Sequence, residues 1–123
     1  MGLFGFGQRK STLGWKQLES VEELENLLAQ RDGEAHVFFK HSTRCSISAM
    51  ALNGFESTWK GNPAPLYFID LIRFREVSDA LATGTGVRHE SPQVIVVRDG
   101  SILYQASHSS IDARKIEHIL ENA

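Results

Sequence analysis

The chain predicts an α/β fold, a mixed four- or five-stranded sheet flanked by helices. Three observations lead there. Two runs of consecutive apolar residues, Val37-Phe38-Phe39 and Leu66-Tyr67-Phe68-Ile69, read as strands covered on both faces, and helix-like sequence separates them. Asp99-Gly100 lies between two β-rich runs, a strong hairpin signal. Helical periodicity flanks these strands at both ends of the chain. The order is α, β, α, β, α, β, β, α, with parallel pairing first and an antiparallel hairpin last.

Each element has its own grounds. From Ser20, Val21, Leu24, Leu27 and Leu28 recur at helical spacing, and Ser20 with Glu23 spells a capping box. Asp32-Gly33 ends that helix, and Trp15-Lys16-Gln17-Leu18 before it can add an edge strand. Residues 35–40 form the first buried strand. The next helix is expected from Thr43 or Arg44 to about Trp59, with Ser48, Leu52, Phe55 and Trp59 on one face. Gly61-Asn62-Pro63-Ala64-Pro65 is a loop dense in helix and strand breakers, and residues 66–71 form the second strand. A helix over 73–82 turns Val77, Ala80 and Leu81 inward and stops in Thr83-Gly84-Thr85-Gly86. Strands at 93–97 and 101–104 make the hairpin. The last helix covers 110–121, with Ile111, Ile116, Ile119 and Leu120 as its stripe and Ser109 with Asp112 as its cap.

At 123 residues this is one domain, long enough to bury a core without metal or disulfide staples. Residues 1–14 read as a loose N-terminal arm and 15–123 as the domain. A formal charge of −2 gives no reason to expect nucleic acid or an anionic membrane as partner, and no apolar run is long enough to span a bilayer. The start lacks the sustained apolar stretch of a signal peptide. One cysteine cannot form an internal disulfide, which fits a reducing cytoplasm. The five histidines show no metal-ligand spacing, so no metal site is expected. Gly84-Thr85-Gly86 lacks the rest of a dinucleotide motif. Asp112, Glu117 and Glu121 read as an exposed helix face, and Tyr67 and Phe68 as strand core.

Chemistry concentrates in Lys40-His41-Ser42-Thr43-Arg44-Cys45-Ser46-Ile47-Ser48. A cysteine in the first turn of a helix meets unpaired N–H groups and the positive end of the helix dipole, both of which favour thiolate. Lys40 and Arg44 add positive charge on either side, and His41 does so when protonated. Together these can bring a cysteine from about 8.5 into the range of roughly 3.5–7.5. Ser48, three residues on, can hydrogen-bond the sulfur but cannot form a disulfide. The bland alternatives are a cysteine acting as a small buried hydrophobe, solvated charges at Lys40 and Arg44, and a serine that packs or bonds back into its helix.

The element order resembles the thioredoxin fold over nearly all of residues 15–123. Cys45 at a strand–helix junction supports this, as does Gly86-Val87-Arg88-His89-Glu90-Ser91-Pro92 before a strand. That loop resembles the thioredoxin-type segment with a cis-proline beside the active cysteine, which implies that Ser91 and Pro92 present backbone to an extended thiol-bearing ligand. The aspartate that thioredoxins bury six residues before the cysteine is here Phe39. More narrowly, residues 39–48 resemble the active-site stretch of the monothiol bacilliredoxins, the YtxJ-like proteins. Members commonly read Thr-Cys-Pro-Ile-Ser, whereas this chain has Arg44 before the cysteine and Ser46 in place of proline.

The resemblance implies a cytoplasmic thiol–disulfide oxidoreductase with Cys45 as nucleophile, supported by Lys40, His41, Thr43, Arg44 and Ser48. It implies no tightly bound cofactor, bacillithiol as co-substrate, S-bacillithiolated proteins as clients and a separate reductant. Two other classes stay open. One is an iron–sulfur carrier of the monothiol glutaredoxin kind, although Cys45-Ser46-Ile47-Ser48 lacks the Cys-Gly-Phe-Ser spelling. The other is a non-catalytic thioredoxin-like binding module.

Overall fold

The structure, a computed structural model, describes residues 13–122. Its elements in order are β1 (Lys16–Gln17), α1 (Val21–Ala29), β2 (Ala35–His41), α2 (Ser46–Thr58), β3 (Leu66–Asp70), α3 (Arg75–Thr85), β4 (Gln93–Arg98), β5 (Ser101–Ser107), a short 3-10 turn (His108–Ser110) and α4 (Ala113–Asn122). The expected loose arm falls almost wholly on residues 1–12, outside the described residues. Leu13, from the same stretch, packs against the core.

One five-stranded sheet runs in the order β1-β3-β2-β4-β5. β1, β3 and β2 are parallel, β4 is antiparallel to β2, and β5 is antiparallel to β4. Consecutive apolar residues in the central strands follow from burial on both faces. Val37, Phe39, Val94 and Val96 pack with Leu52, Phe55 and Trp59 of the α2 segment and with Ala113 and Ile116 of α4. Phe38, Ile95 and Val97 point the other way, onto Leu24 of α1 and Val77 and Leu81 of α3. Strand alternation thus fills two separate cores from one uninterrupted apolar run.

Local signals set most boundaries. Ser20 caps α1, its hydroxyl accepting the Glu23 N–H. Asp99 and Gly100 both have positive φ, 51° and 78°, as the two central residues of a tight hairpin turn require. Several elements differ from expectation at their ends. β5 reaches Ser107 with an irregularity opposite Val96 and Val97. α3 starts at Arg75, because Asp70 first bends the chain by accepting the Ile72 and Arg73 N–H groups. It then runs on through Gly84 to Thr85 and ends at Gly86, which is left-handed at φ 74°.

α4 is capped by Asp112, whose carboxylate accepts the Arg114 and Lys115 N–H groups, while Ser109 belongs to the preceding 3-10 turn. Glu117 corrects the reading of an exposed acidic face. It is buried, and its carboxylate accepts the N–H groups of Lys60 and Asn62, pinning the breaker-rich loop to α4.

Candidate active site

β2 delivers the chain into the site. After His41 the backbone turns, with the Cys45 N–H donating to the Ser42 carbonyl, and α2 begins at Ser46. Cys45 is therefore the N-cap of α2 rather than a residue of its first turn. Its backbone is extended (φ −122°, ψ 119°), and its carbonyl accepts the Ala49 N–H. No side chain caps this end, so no side chain takes up the first N–H groups of the helix. The cysteine is half-buried and unpaired, and Thr43 and Arg44 before it are exposed.

Ser48 is fully buried at the position where dithiol enzymes carry a second cysteine. Its hydroxyl accepts the Ser42 N–H at 3.1 Å and lies 2.7 Å from His41 Nδ1. The expected bond to the sulfur gives way to these two, because the turn at 42–45 and the end of β2 each present a polar atom to the hydroxyl. His41 is likewise buried, on the α2 face of the sheet against Phe68, rather than a surface charge. Through these contacts Ser48 and His41 brace the turn that leads to Cys45.

Lys40 departs furthest from expectation. Strand alternation sends it to the face opposite α2, where it is 0% exposed. Its ammonium donates to His89 Nδ1 at 3.2 Å, and Ser78 Oγ of α3 lies 3.4 Å from the same nitrogen. Burial pushes the Lys40 ammonium down to about 8, with nearby Asp79 opposing and Arg75 adding to the effect. It is a buried charge on the sheet face opposite α2 rather than a solvated one. His89 was missed from the sequence; its place three residues before Pro92 was the available signal.

The Ser91–Pro92 peptide is cis. Lys40 pairs with Gln93 across β2 and β4, so Ser91-Pro92 lies at the sheet end that also carries 42–45. The Pro92 carbonyl accepts the His108 N–H, which ties the 3-10 turn to this end. Beside it, Ile47 and Met50 of α2 are 54% and 72% exposed and border a groove completed by Gly54, His108 and Ile111. The site therefore offers a half-buried thiol at a helix start, a cis-proline edge at the same sheet end, and apolar side chains one turn away. Among the described residues no group of three or more His, Cys, Asp and Glu side chains could hold a metal, and no helix is long and apolar enough to cross a membrane.

Known proteins match this architecture. A solved structure assigned provisionally as an oxidoreductase with a thioredoxin fold is 26% identical. It covers 85% of this chain and 91% of its own, with a TM-score of 0.72. Thioredoxin from Trypanosoma brucei brucei (16% identical, TM-score 0.68, 94% and 95% covered) shares the fold. So does Schistosoma mansoni thioredoxin (18%, 0.65, 92% and 98%). The family model for the monothiol bacilliredoxin BrxC matches residues 16–116. With that match spanning nearly the whole sheet and its helices, the chain belongs to the monothiol bacilliredoxins, redox proteins on a thioredoxin fold.

Proposed function

We propose that the protein is a monothiol thiol–disulfide oxidoreductase that removes bacillithiol from S-bacillithiolated proteins in the cytoplasm. One observation carries the reading. The single cysteine occupies the N-cap position of α2 just after β2, and the position that would resolve a disulfide is filled by the buried hydroxyl of Ser48.

The Cys45 thiolate attacks the bacillithiol sulfur of the client's mixed disulfide. A Cys45–bacillithiol disulfide forms, the client–bacillithiol bond breaks, and the client leaves as a thiolate that takes a proton from water. The vacant N–H groups at the start of α2 stabilise the attacking anion. Ser91 presents its backbone to the client chain beside its cysteine, and Arg44 and Thr43 face the solvent from which both partners arrive. With no second thiol in the chain, regeneration takes an external one. A free bacillithiol or a separate reductant attacks the Cys45 disulfide, releasing oxidised bacillithiol or its mixed disulfide. Bacillithiol is then a co-substrate, and no cofactor stays bound.

Intact mass spectrometry of reduced protein mixed with a bacillithiolated client tests this. The expected result is a bacillithiol adduct on this chain with a freed client, absent in Cys45→Ala. No adduct while Cys45 is still alkylated at neutral pH would overturn the assignment of the small thiol. No adduct and no alkylation would overturn the catalytic role.

A further inference from the structure

Lysine is among the residues least often buried completely, yet Lys40 is. An apolar side chain of similar volume generally stabilises a core at least as well as a buried charge. The surroundings show what the charge holds. Lys40 Nζ reaches His89 Nδ1, Ser78 Oγ approaches that same nitrogen from α3, and Gln93, the cross-strand neighbour of Lys40, donates its Nε2–H to the Arg88 carbonyl at 2.9 Å. Two buried polar side chains at the adjoining ends of β2 and β4 thus grip successive residues of the segment that ends in Ser91-Pro92.

We propose that Lys40 is a positioning residue: through His89 it fixes the 87–92 segment, and with it the Ser91-Pro92 edge, relative to the strand that leads into Cys45, and protonation of His89 releases it. The proposal rests on reading that edge as the surface that meets the client. The chemistry is one of matched donor and acceptor. An ammonium has no lone pair to offer, so His89 Nδ1 accepts and the imidazole is neutral, its proton assigned to Nε2 by this partner. A second proton on His89 removes the acceptor and sets two cations against each other.

Burial, then Lys40, then Arg75 push His89 below the usual histidine value, against Asp79 and Glu90. The tie therefore holds at neutral pH and fails in acid. Above about 8, where Lys40 loses its proton, the bond persists only as a weaker neutral one.

A ratio of two rates tests this. One is attack of Cys45 on a peptide carrying a bacillithiol mixed disulfide, and the other is its alkylation by iodoacetamide. Both scale with the thiolate fraction, so their ratio reports peptide docking. In the wild type the ratio is expected to fall in acid as His89 titrates, and to decline again above about 8. Lys40→Met should lower the ratio at neutral pH by about tenfold, the scale of one charge-assisted hydrogen bond, and flatten its pH profile. His89→Gln supplies an acceptor that does not titrate, so it should keep the neutral ratio and lose the acid limb. A wild-type profile in Lys40→Met, or an acid limb surviving in His89→Gln, overturns the proposal.

If the wild type alkylates normally but ignores the peptide, the functional reading fails instead. The tie is then judged by NMR: the Ser91 and Gln93 amide signals must follow the His89 titration in the wild type and not in Lys40→Met. Amide signals that titrate alike in both overturn it.

Discussion

Replacing Lys40 by methionine should change how stability depends on pH, by an amount that follows from the structure. The ammonium is wholly enclosed, and burial brings it from 10.5 down to about 8. Between those values the unfolded chain binds the lysine proton and the folded protein does not. Stability therefore rises as pH climbs from about 8 to 10.5, and the full cost of the buried charge is present below about 8. At about 1.4 kcal/mol for each pH unit, that interval corresponds to about 3 kcal/mol. Methionine keeps most of the volume and removes the charge, so other titrating groups cancel in the comparison. Urea unfolding of both proteins at intervals from pH 7 to 11 should show their stability difference moving by about 3 kcal/mol in favour of the wild type as pH rises. In midpoint this is about 1–3 M urea. A difference that stays constant across that range would refute the reasoning, since Lys40 would then carry no buried charge.

Two further outcomes follow from the same contacts. Ser48→Ala should cost about 1–3 kcal/mol in thermal unfolding, because the part-buried Ser42 N–H and the buried His41 Nδ1 lose their shared hydroxyl. It should also slow alkylation of Cys45 as the 42–45 turn loosens, and an unchanged rate would remove Ser48 from the site. Glu117→Ala should cost about 2–3 kcal/mol by leaving the Lys60 and Asn62 N–H groups unpaired, without altering Cys45 alkylation, as the two measurements run side by side would show.

Features written in local periodicity were legible in the sequence. The two central strands announce themselves as unbroken apolar runs, Ser20 as a cap and Asp99-Gly100 as a turn. The cysteine's place at a strand–helix junction and the cis-proline followed from the motif and its resemblance. What stayed hidden depends on three-dimensional partners. Nothing near Lys40 in sequence shows that strand parity sends it beneath the sheet to His89, 49 residues away. Glu117 reads as a surface acid until the loop at 60–62 folds over it, and Ser48 points at the sulfur on a helical wheel until the Ser42 N–H claims it. Helix starts shifted for a related reason: Asp70 and the Ser42 carbonyl capture backbone groups that pattern alone assigns to the helix.

The cap of α2 has a consequence for what selection can improve. Serine, threonine, aspartate or asparagine at an N-cap is worth about 1 kcal/mol over residues that cannot accept the N–H groups, and Cys45 makes no such bond. The helix therefore begins with a deficit that the simplest substitutions would erase, each at the expense of the sulfur. Stability and the thiol compete for one residue, and the reactivity proposed for Cys45 comes with an unsatisfied helix end.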